Sequence, residues 1–211
     1  MELENKLLRF EQDLTTAFYD IQEYRKIFTG TDARNKILNK SAPNFFLIYQ
    51  RYFWNNIILS ITRLLDPPKM GQYTNLTIEI LFDTAIKNNL SCSDELRVLI
   101  NSLRDKKELL KIWRDKIIAH RDEAYALKSD YKEISINLVE VEEILQEIGK
   151  CVNLVYGEHR QSTMSWRVIT NASSEALLYY LREGLVYSEL KKKRNNRILD
   201  NKEYEESSYP E

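Results

Sequence analysis

The sequence predicts an all-α protein, a bundle of about five to six helices forming a single domain over residues 1–193, followed by a charged tail over 194–211. Only five glycines and four prolines occur among 211 residues, and most of them stand where periodic segments stop. Apolar residues recur at spacings of three and four, as on one face of an α-helix. No segment shows the alternating strands or the βαβ pattern from which a sheet is built.

The first predicted helix covers residues 3–28 and ends before Gly30. Residues 29–42 are polar and are predicted to be a connection. The second helix begins around Ser41 and Pro43, a cap and first-turn pair, and Asp66-Pro67-Pro68 ends it after about residue 65. It is apolar on almost every side, which is typical of a helix at the centre of a bundle.

Four further helices follow. The third covers about 75–87, and the fourth, over 93–120, is the most regular. Residues 121–135 are a polar connection. Asn137 caps a fifth helix that Gly157 closes, so that His159 lies exposed beyond its end. The sixth covers 174 to about 193, with an acidic start and a basic end that suit the helix dipole.

The composition is that of a folded protein and excludes several classes. A hydrophobic fraction of 43% is too high for a disordered chain. No window approaches the roughly 20 uninterrupted apolar residues of a membrane span, and the acidic N-terminus does not resemble a secretory signal. We therefore expect a cytoplasmic protein without a membrane partner. A net charge of −1 argues against broad, non-specific binding of nucleic acids.

Cofactor and metal sites are not expected. Cys92 and Cys151 lie far apart in unlike contexts, which supports neither a disulfide framework nor a cysteine-rich zinc site. We expect both to be reduced and buried. The chain also lacks the G-x-G-x-x-G and Walker patterns that cradle nucleotide phosphates.

Candidate chemistry centres on one of the two histidines. His120 ends the fourth predicted helix, six residues after Arg114. On an ideal helix the two residues are about 9 Å apart along the axis and about 120° apart in rotation. They therefore flank the apolar stripe of this helix, and a second copy packed there would bring two arginines and two histidines into one cleft. The stripe at this end comprises Leu110, Trp113 and Ile117.

An arginine and a histidine in such a cleft suit the cleavage of RNA without a metal. An imidazole can take the proton of a 2′-hydroxyl, and a guanidinium can stabilise the charge on the phosphorane. Asp115 can orient either group or bind the arginine. The alternative is structural: His120 hydrogen-bonds at a helix C-terminus, and Arg114 pairs with a carboxylate such as Asp115.

Basic and polar residues nearby are candidates for RNA contact. Residues 104–121 contain seven Lys or Arg and three Asp or Glu, which suits phosphate contact by Lys111, Lys116 and Arg121. On the second predicted helix, one side carries polar residues that can extend a cleft, namely Arg51, Asn55 and Thr62. A solvated helix face is the alternative for both groups.

The segment Arg114-Asp115-Lys116-Ile117-Ile118-Ala119-His120 matches the R-polar-x(3–5)-H signature of the HEPN superfamily, small α-helical domains that often form dimers. A longer run extends through Arg121-Asp122, and the upstream run Ser60-Ile61-Thr62-Arg63-Leu64-Leu65-Asp66 ends an apolar helix. In this combination the chain resembles the HEPN family typified by the AbiU-type abortive-infection protein, from the second helix into the fifth.

This resemblance implies a metal-independent endoribonuclease that cleaves single-stranded RNA at the interface of a symmetric homodimer. Arg114 and His120 would be its catalytic pair, and Asp115 the polar residue after the arginine. The implied setting is phage defence or a toxin–antitoxin system, with an antitoxin or another defence protein as a partner. Because some HEPN domains have lost catalysis, a helical interaction or immunity module is the alternative.

Overall fold

A computed structural model describes residues 2–119, 136–167 and 173–196, except for the side chains of Asp105 and Ala119. Most of these residues are helical, which confirms the all-α class. Eight α-helices occur in these ranges: α1 (Glu2–Phe28), α2 (Asp32–Ser41), α3 (Pro43–Leu65), α4 (Ile78–Lys87), α5 (Ser93–Ser102), α6 (Arg104–Trp113), α7 (Leu138–Arg160) and α8 (Ser174–Asn195). A π-helical turn, Arg114–Ala119, continues α6, and a short antiparallel hairpin joins β1 (Lys69–Met70) to β2 (Tyr73–Thr74).

The first predicted helix is confirmed as α1, because its apolar spacing corresponds to a buried face. All the apolar residues that define this spacing are buried except the last, Phe28, which is half-buried. The buried members are Leu3, Leu7, Phe10, Leu14, Ala17, Phe18, Ile21 and Tyr24. Polar or charged residues occupy most of the other face, as a helix on the surface of a core requires.

The polar connection predicted for residues 29–42 is wrong, because most of it forms helix α2. Leu38 is the only fully buried side chain of this helix, so the sequence shows almost no apolar periodicity there. Packing against α8 provides the stabilisation that the helix propensity and the apolar pattern of α2 do not provide. Tertiary contacts account for most helical stability in proteins.

Helix α3 has the predicted bounds, but its surroundings differ from the prediction. In its second half, Ile57, Ile58 and Ile61 are fully buried. In its first half, five large apolar side chains are exposed by 40 to 69% of their surface. The apolar residues on all sides of α3 are therefore buried, as in a central helix, only over the second half of α3. The exposed residues are Phe45, Leu47, Ile48, Tyr49 and Tyr52.

The single fourth helix predicted over 93–120 is divided into α5, α6 and the π-helical turn. At the first division the N–H of Leu103 donates to the carbonyl of Ile100, 3.3 Å away, in a tighter i→i+3 turn. The buried stripe nevertheless continues across the division through Leu96, Leu103 and Leu110. Seven-residue spacing drifts by only about 20° per repeat on an α-helix, and the three leucines are buried on both sides of the interruption.

Two other helix boundaries also differ from the sequence prediction. Helix α4 begins three residues later than predicted, after the β1–β2 hairpin, in which Gly71 takes the positive φ of 61° that favours glycine. Helix α7 begins as predicted, since Asn137 and Glu140 form a reciprocal capping box. It passes through Gly157 to Arg160, so His159 lies inside the helix and not beyond it.

The chain divides into two compact units, Met1–Gln22 with Phe53–Val168, and Glu23–Tyr52 with Ile169–Glu211. The single domain over 1–193 stays a prediction. In the first unit, α7 buries an apolar face that comprises Val141, Ile144, Leu145, Ile148, Val152 and Val155. Gly149 on α7 is needed for close packing, because an added Cβ would lie 2.5 Å from the indole nitrogen of Trp166. No described helix is both long and apolar enough to cross a membrane.

The second unit has a small core formed by Ile27, Leu38, Phe46 and Leu178. Beside it lies a buried carboxylate, Glu23, which is only 5% exposed. Its Oε2 accepts hydrogen bonds from the backbone N–H of Ser174, at 2.7 Å, and from the Ser174 hydroxyl. Lys26 donates to its Oε1 at 2.9 Å. Glu23 thus satisfies an otherwise unpaired N–H in the first turn of α8.

Acid is expected to remove the stabilisation that Glu23 provides. Burial alone raises the pKa of Glu23, but the hydrogen bonds from Ser174 and Lys26 outweigh it and hold the pKa below its ordinary value. Its contribution is therefore complete above the unfolded-state value of about 4.3 and is lost as the pH falls through the lower folded-state value. The difference in unfolding temperature between wild type and Glu23→Gln should shrink between about pH 6 and pH 3.

The matched control is Glu175→Gln, which removes an exposed carboxylate from the first turn of the same helix. Its unfolding temperature should differ little from that of the wild type across this pH range. A constant difference between wild type and Glu23→Gln down to pH 3 would contradict the role of the buried carboxylate.

Candidate functional site

Arg114 stands where α6 passes into the π-helical turn. The turn closes i→i+5 hydrogen bonds, a rare geometry that is frequent at functional sites. A π-helical turn is wider than an α-helical one, so the rotation per residue of an ideal α-helix does not apply between Arg114 and Ile118. The turn changes the direction of the side chains from Asp115 to Ile118.

The Arg114 guanidinium binds two carboxylates that come from different parts of the chain. Its Nε donates to Oδ1 of Asp115 at 2.7 Å, and its Nη1 donates to Oδ1 of Asp66 at 2.7 Å. Asp66 follows the last residue of α3, at the start of the Asp-Pro-Pro stop. Only 19% of the Arg114 side chain and 14% of the Asp66 side chain are exposed, against 39% for Asp115.

These contacts keep Arg114 charged at any relevant pH. The hydrogen bond to Asp115, followed by the bond to Asp66, raises the pKa of Arg114 above its already high ordinary value despite partial burial. The predicted pairing of Arg114 with Asp115 is confirmed, whereas sequence reasoning did not assign a contact to Asp66. The run from Ser60 to Asp66 belonged to the resemblance, and its terminal aspartate beside two prolines was the available signal.

The remaining predicted residues of this segment are only partly described. His120 and Arg121 lie outside the described residues, so their positions stay predictions. Lys111 on α6 and Lys116 in the π-helical turn are both exposed, which is compatible with phosphate contact. Their contact with RNA stays a prediction.

The polar strip predicted on the second helix is only partly present. Arg51 is exposed, with its guanidinium carbon 5.4 Å from the centre of the Tyr52 ring, and Asn55 is half-buried. Thr62 is 1% exposed and donates to the carbonyl of Ile58 in its own helix, so it cannot line a cleft. Arg51 belongs to the second compact unit and Arg114 to the first, and the contact of Arg51 with RNA stays a prediction.

The apolar stripe beside Arg114 divides between the core and the surface. Leu110 is fully buried within its own chain and is therefore not available to a second copy. Ile117 in the π-helical turn is 40% exposed, and on α6 Leu109 and Ile112 are 43% and 38% exposed. Exposed apolar side chains therefore lie on the same elements as Arg114, but they are not the same set of residues as the predicted stripe.

A cleft with basic residues lies at the other end of α6. Arg104 and Lys107 line it together with Leu65, the residue before Asp66. Lys107 is 3.3 Å from a carboxylate oxygen of Glu79, and Arg104 donates to the side chain of Asn101 at 3.2 Å. These two cations were predicted only as part of the basic segment 104–121.

Other reactive groups among the described residues do not form a second candidate site. Burial is the main cause that raises the pKa of Cys92 to about 11 and that of Cys151 to about 12, so neither thiol ionises near neutral pH. Cys151 is buried as predicted, but Cys92 is only partly buried. His159 lies 3.2 Å from Glu4. Within the described ranges, no three His, Cys, Asp or Glu side chains are grouped to hold a metal ion.

Comparison with known protein families matches most of the chain to one family. Residues 2–180 match the HEPN family described as AbiU2. This range includes α1 to α7 and the first turns of α8, and it contains both Asp66 and Arg114. No curated protein and no protein of solved structure matches the chain.

Proposed function

Because the chain belongs to the HEPN AbiU2 family, we propose that it is a metal-independent endoribonuclease of an abortive-infection or toxin–antitoxin system. The observation that carries this proposal is the state of Arg114. It is a permanent cation, mostly buried and held at two nitrogens, six residues before His120. A fixed cation is what stabilises a phosphorane without reorganisation during the reaction.

The proposed reaction uses the RNA itself as the nucleophile. His120 takes the proton of a 2′-hydroxyl, and the 2′-oxygen attacks the adjacent phosphorus while Arg114 stabilises the added negative charge. The bond to the 5′-oxygen then breaks, and a protonated imidazole, His120 of a second copy, returns a proton to it. The products are a 2′,3′-cyclic phosphate and a 5′-hydroxyl.

The exposed apolar side chains near Arg114 support the participation of a second copy. Leu109, Ile112 and Ile117 each leave about two fifths of their surface exposed on the elements that carry the arginine. Burying them against the same surface of another chain would be favourable by roughly 25 cal/mol per Å². Such a symmetric contact would bring the two copies of the Arg114 segment together.

A second candidate function is a helical interaction module without catalysis. The observation that favours it is that both carboxylates bound to Arg114 come from its own chain, as in a structural ion pair. In this case the chain would bind a partner protein of the defence system through its exposed surfaces. RNA would not be cleaved.

The test is cleavage of single-stranded RNA by the purified protein in the presence of EDTA. We expect fragments that end in 2′,3′-cyclic phosphate from wild type and no cleavage by His120→Ala. The matched control is His159→Ala, which removes the other histidine of the chain and should cleave like wild type. Equal cleavage by His120→Ala would refute the mechanism, and absence of cleavage by the folded wild type would favour the interaction module.

A further inference from the structure

Asp66 occupies a position that is unfavourable for the stability of its own helix. It follows Leu65, the last residue of α3, where the helix dipole presents its negative end. A carboxylate there is repelled unless a cation compensates it, and the cation present is Arg114, 2.7 Å away. The pair joins residues 48 positions apart in the sequence. The contact with Arg114 therefore offsets the unfavourable interaction of this carboxylate with the helix dipole.

Two contacts on different nitrogens define the plane of a guanidinium. Asp115 holds Nε and Asp66 holds Nη1, so the group can neither rotate about its last bond nor swing on its flexible stem. Among the described residues, none accepts a hydrogen bond from the third nitrogen, Nη2. This nitrogen keeps two N–H donors in a direction that the two carboxylates determine.

Of the two carboxylates, Asp66 is the better anchor. It is 14% exposed, against 39% for Asp115, and it comes from a different element than the arginine. Asp115 neighbours Arg114 in the chain and moves with the π-helical turn. A contact between separate elements holds the guanidinium relative to the core, which a contact between adjacent residues cannot do.

We propose that Asp66 is the positioning residue of the nuclease site: it fixes the Arg114 guanidinium so that Nη2 donates to the phosphate undergoing cleavage. This rests on the proposed ribonuclease function. Fixing a long side chain before the substrate binds removes the entropic cost of ordering it from the reaction step. Displacing a catalytic group by about 1 Å can cost 100-fold in rate.

The charges of the three groups give this role a distinctive kinetic signature. Asp66 places a negative charge beside Arg114, and this charge opposes the binding of a phosphate. Asp66 therefore improves the orientation of Arg114 but lowers the affinity of the site for RNA. Replacing it with the neutral, equally large asparagine should lower kcat while KM for RNA stays the same or falls.

The experiment compares wild type, Asp66→Asn and a matched control, Glu147→Gln. The control removes a carboxylate from another partly buried pair, in which Lys106 lies 2.6 Å from Glu147. With a single-stranded RNA oligonucleotide, Asp66→Asn should reduce kcat by about 10- to 100-fold without raising KM. Glu147→Gln should retain the kcat and KM of wild type at a temperature where all three are folded.

A second measurement does not depend on activity. In nitrogen-labelled protein, hindered rotation should give Arg114 separate Nη1 and Nη2 signals, and these should merge in Asp66→Asn but not in Glu147→Gln. If wild type does not cleave RNA, the proposed function fails, and these signals still decide whether Asp66 fixes Arg114. Unchanged signals, an unchanged kcat or a faster Asp66→Asn enzyme would each overturn the positioning role. In the last case Asp66 would be a competitor of the phosphate.

If Asp66→Asn does not fold, Asp66→Glu replaces it in both measurements. Glutamate keeps the charge and displaces the carboxylate by one methylene. A positioning role predicts a lower kcat for this variant as well, whereas a purely electrostatic role predicts the kcat of wild type. Retention of full kcat by folded Asp66→Glu, with unchanged Arg114 signals, would overturn the proposal.

Discussion

Arg114→Ala is expected to lower the rate of RNA cleavage by about 100- to 1000-fold, the usual loss when one fixed donor to a developing negative charge is removed. Arg114→Lys should not restore the rate. The single nitrogen of a lysine ammonium cannot contact both carboxylates as the planar guanidinium does and also donate to the phosphate. The rates are to be measured with single-stranded RNA in EDTA, over a range of protein concentrations that also tests the proposed dimer.

The matched control for this prediction is Arg104→Ala. Arg104 begins the same helix and carries the same charge, but it is exposed and its side chain donates to Asn101 and not to a carboxylate pair. Its removal should weaken RNA binding modestly and reduce the dependence of binding on salt, with little change in kcat. Equal losses of kcat in Arg104→Ala and Arg114→Ala would mean that the arginine acts only through the overall charge of the segment.

Leu7→Ala is expected to destabilise the protein by about 2–5 kcal/mol, the range for a leucine truncated in a packed core. Leu7 is 0% exposed on α1, so the truncation leaves a cavity that its rigid neighbours fill only in part. The free energy of unfolding is to be obtained from urea denaturation followed by helical circular dichroism.

The adjacent residue provides the control for this experiment. Leu8 is the same residue type on the same helix but is 43% exposed, and Leu8→Ala should cost less than about 1 kcal/mol. A similar loss in both variants would show that the face of α1 predicted from its apolar spacing is not the face that packs.

Long, strongly periodic helices could be predicted from the sequence, because a buried helix face requires apolar residues at spacings of three and four. This holds for α1 and for α7, whose N-cap at Asn137 was also predicted. Helix α2 was missed for the same reason, since a helix that buries only Leu38 has almost no pattern to detect. The interruption at Leu103 was missed because leucines spaced by seven fit a continuous helix as well as an interrupted one.

The residues of the candidate site could be named from the sequence, but the contacts of Arg114 could not. Arg114, Asp115 and His120 could be selected because a signature of neighbouring residue types is local in the sequence. Asp66 could not be assigned a role, because its contact with Arg114 spans 48 residues and exists only once α3 and α6 have packed. The π-helical turn was not predicted either, because residues 114–119 contain no glycine or proline that would mark an interruption of the helix.

The sequence by itself determined the all-α class, the buried faces of α1 and α7, the family and the identity of the candidate reactive residues. Each of these depends on residue types at short spacings, where the period of the backbone links sequence directly to structure. Only the tertiary structure decided that α2 is a helix, that half of α3 is exposed and that Asp66 holds Arg114. These features arise from contacts between distant segments, whose free energy outweighs local preferences and leaves no periodic trace in the sequence.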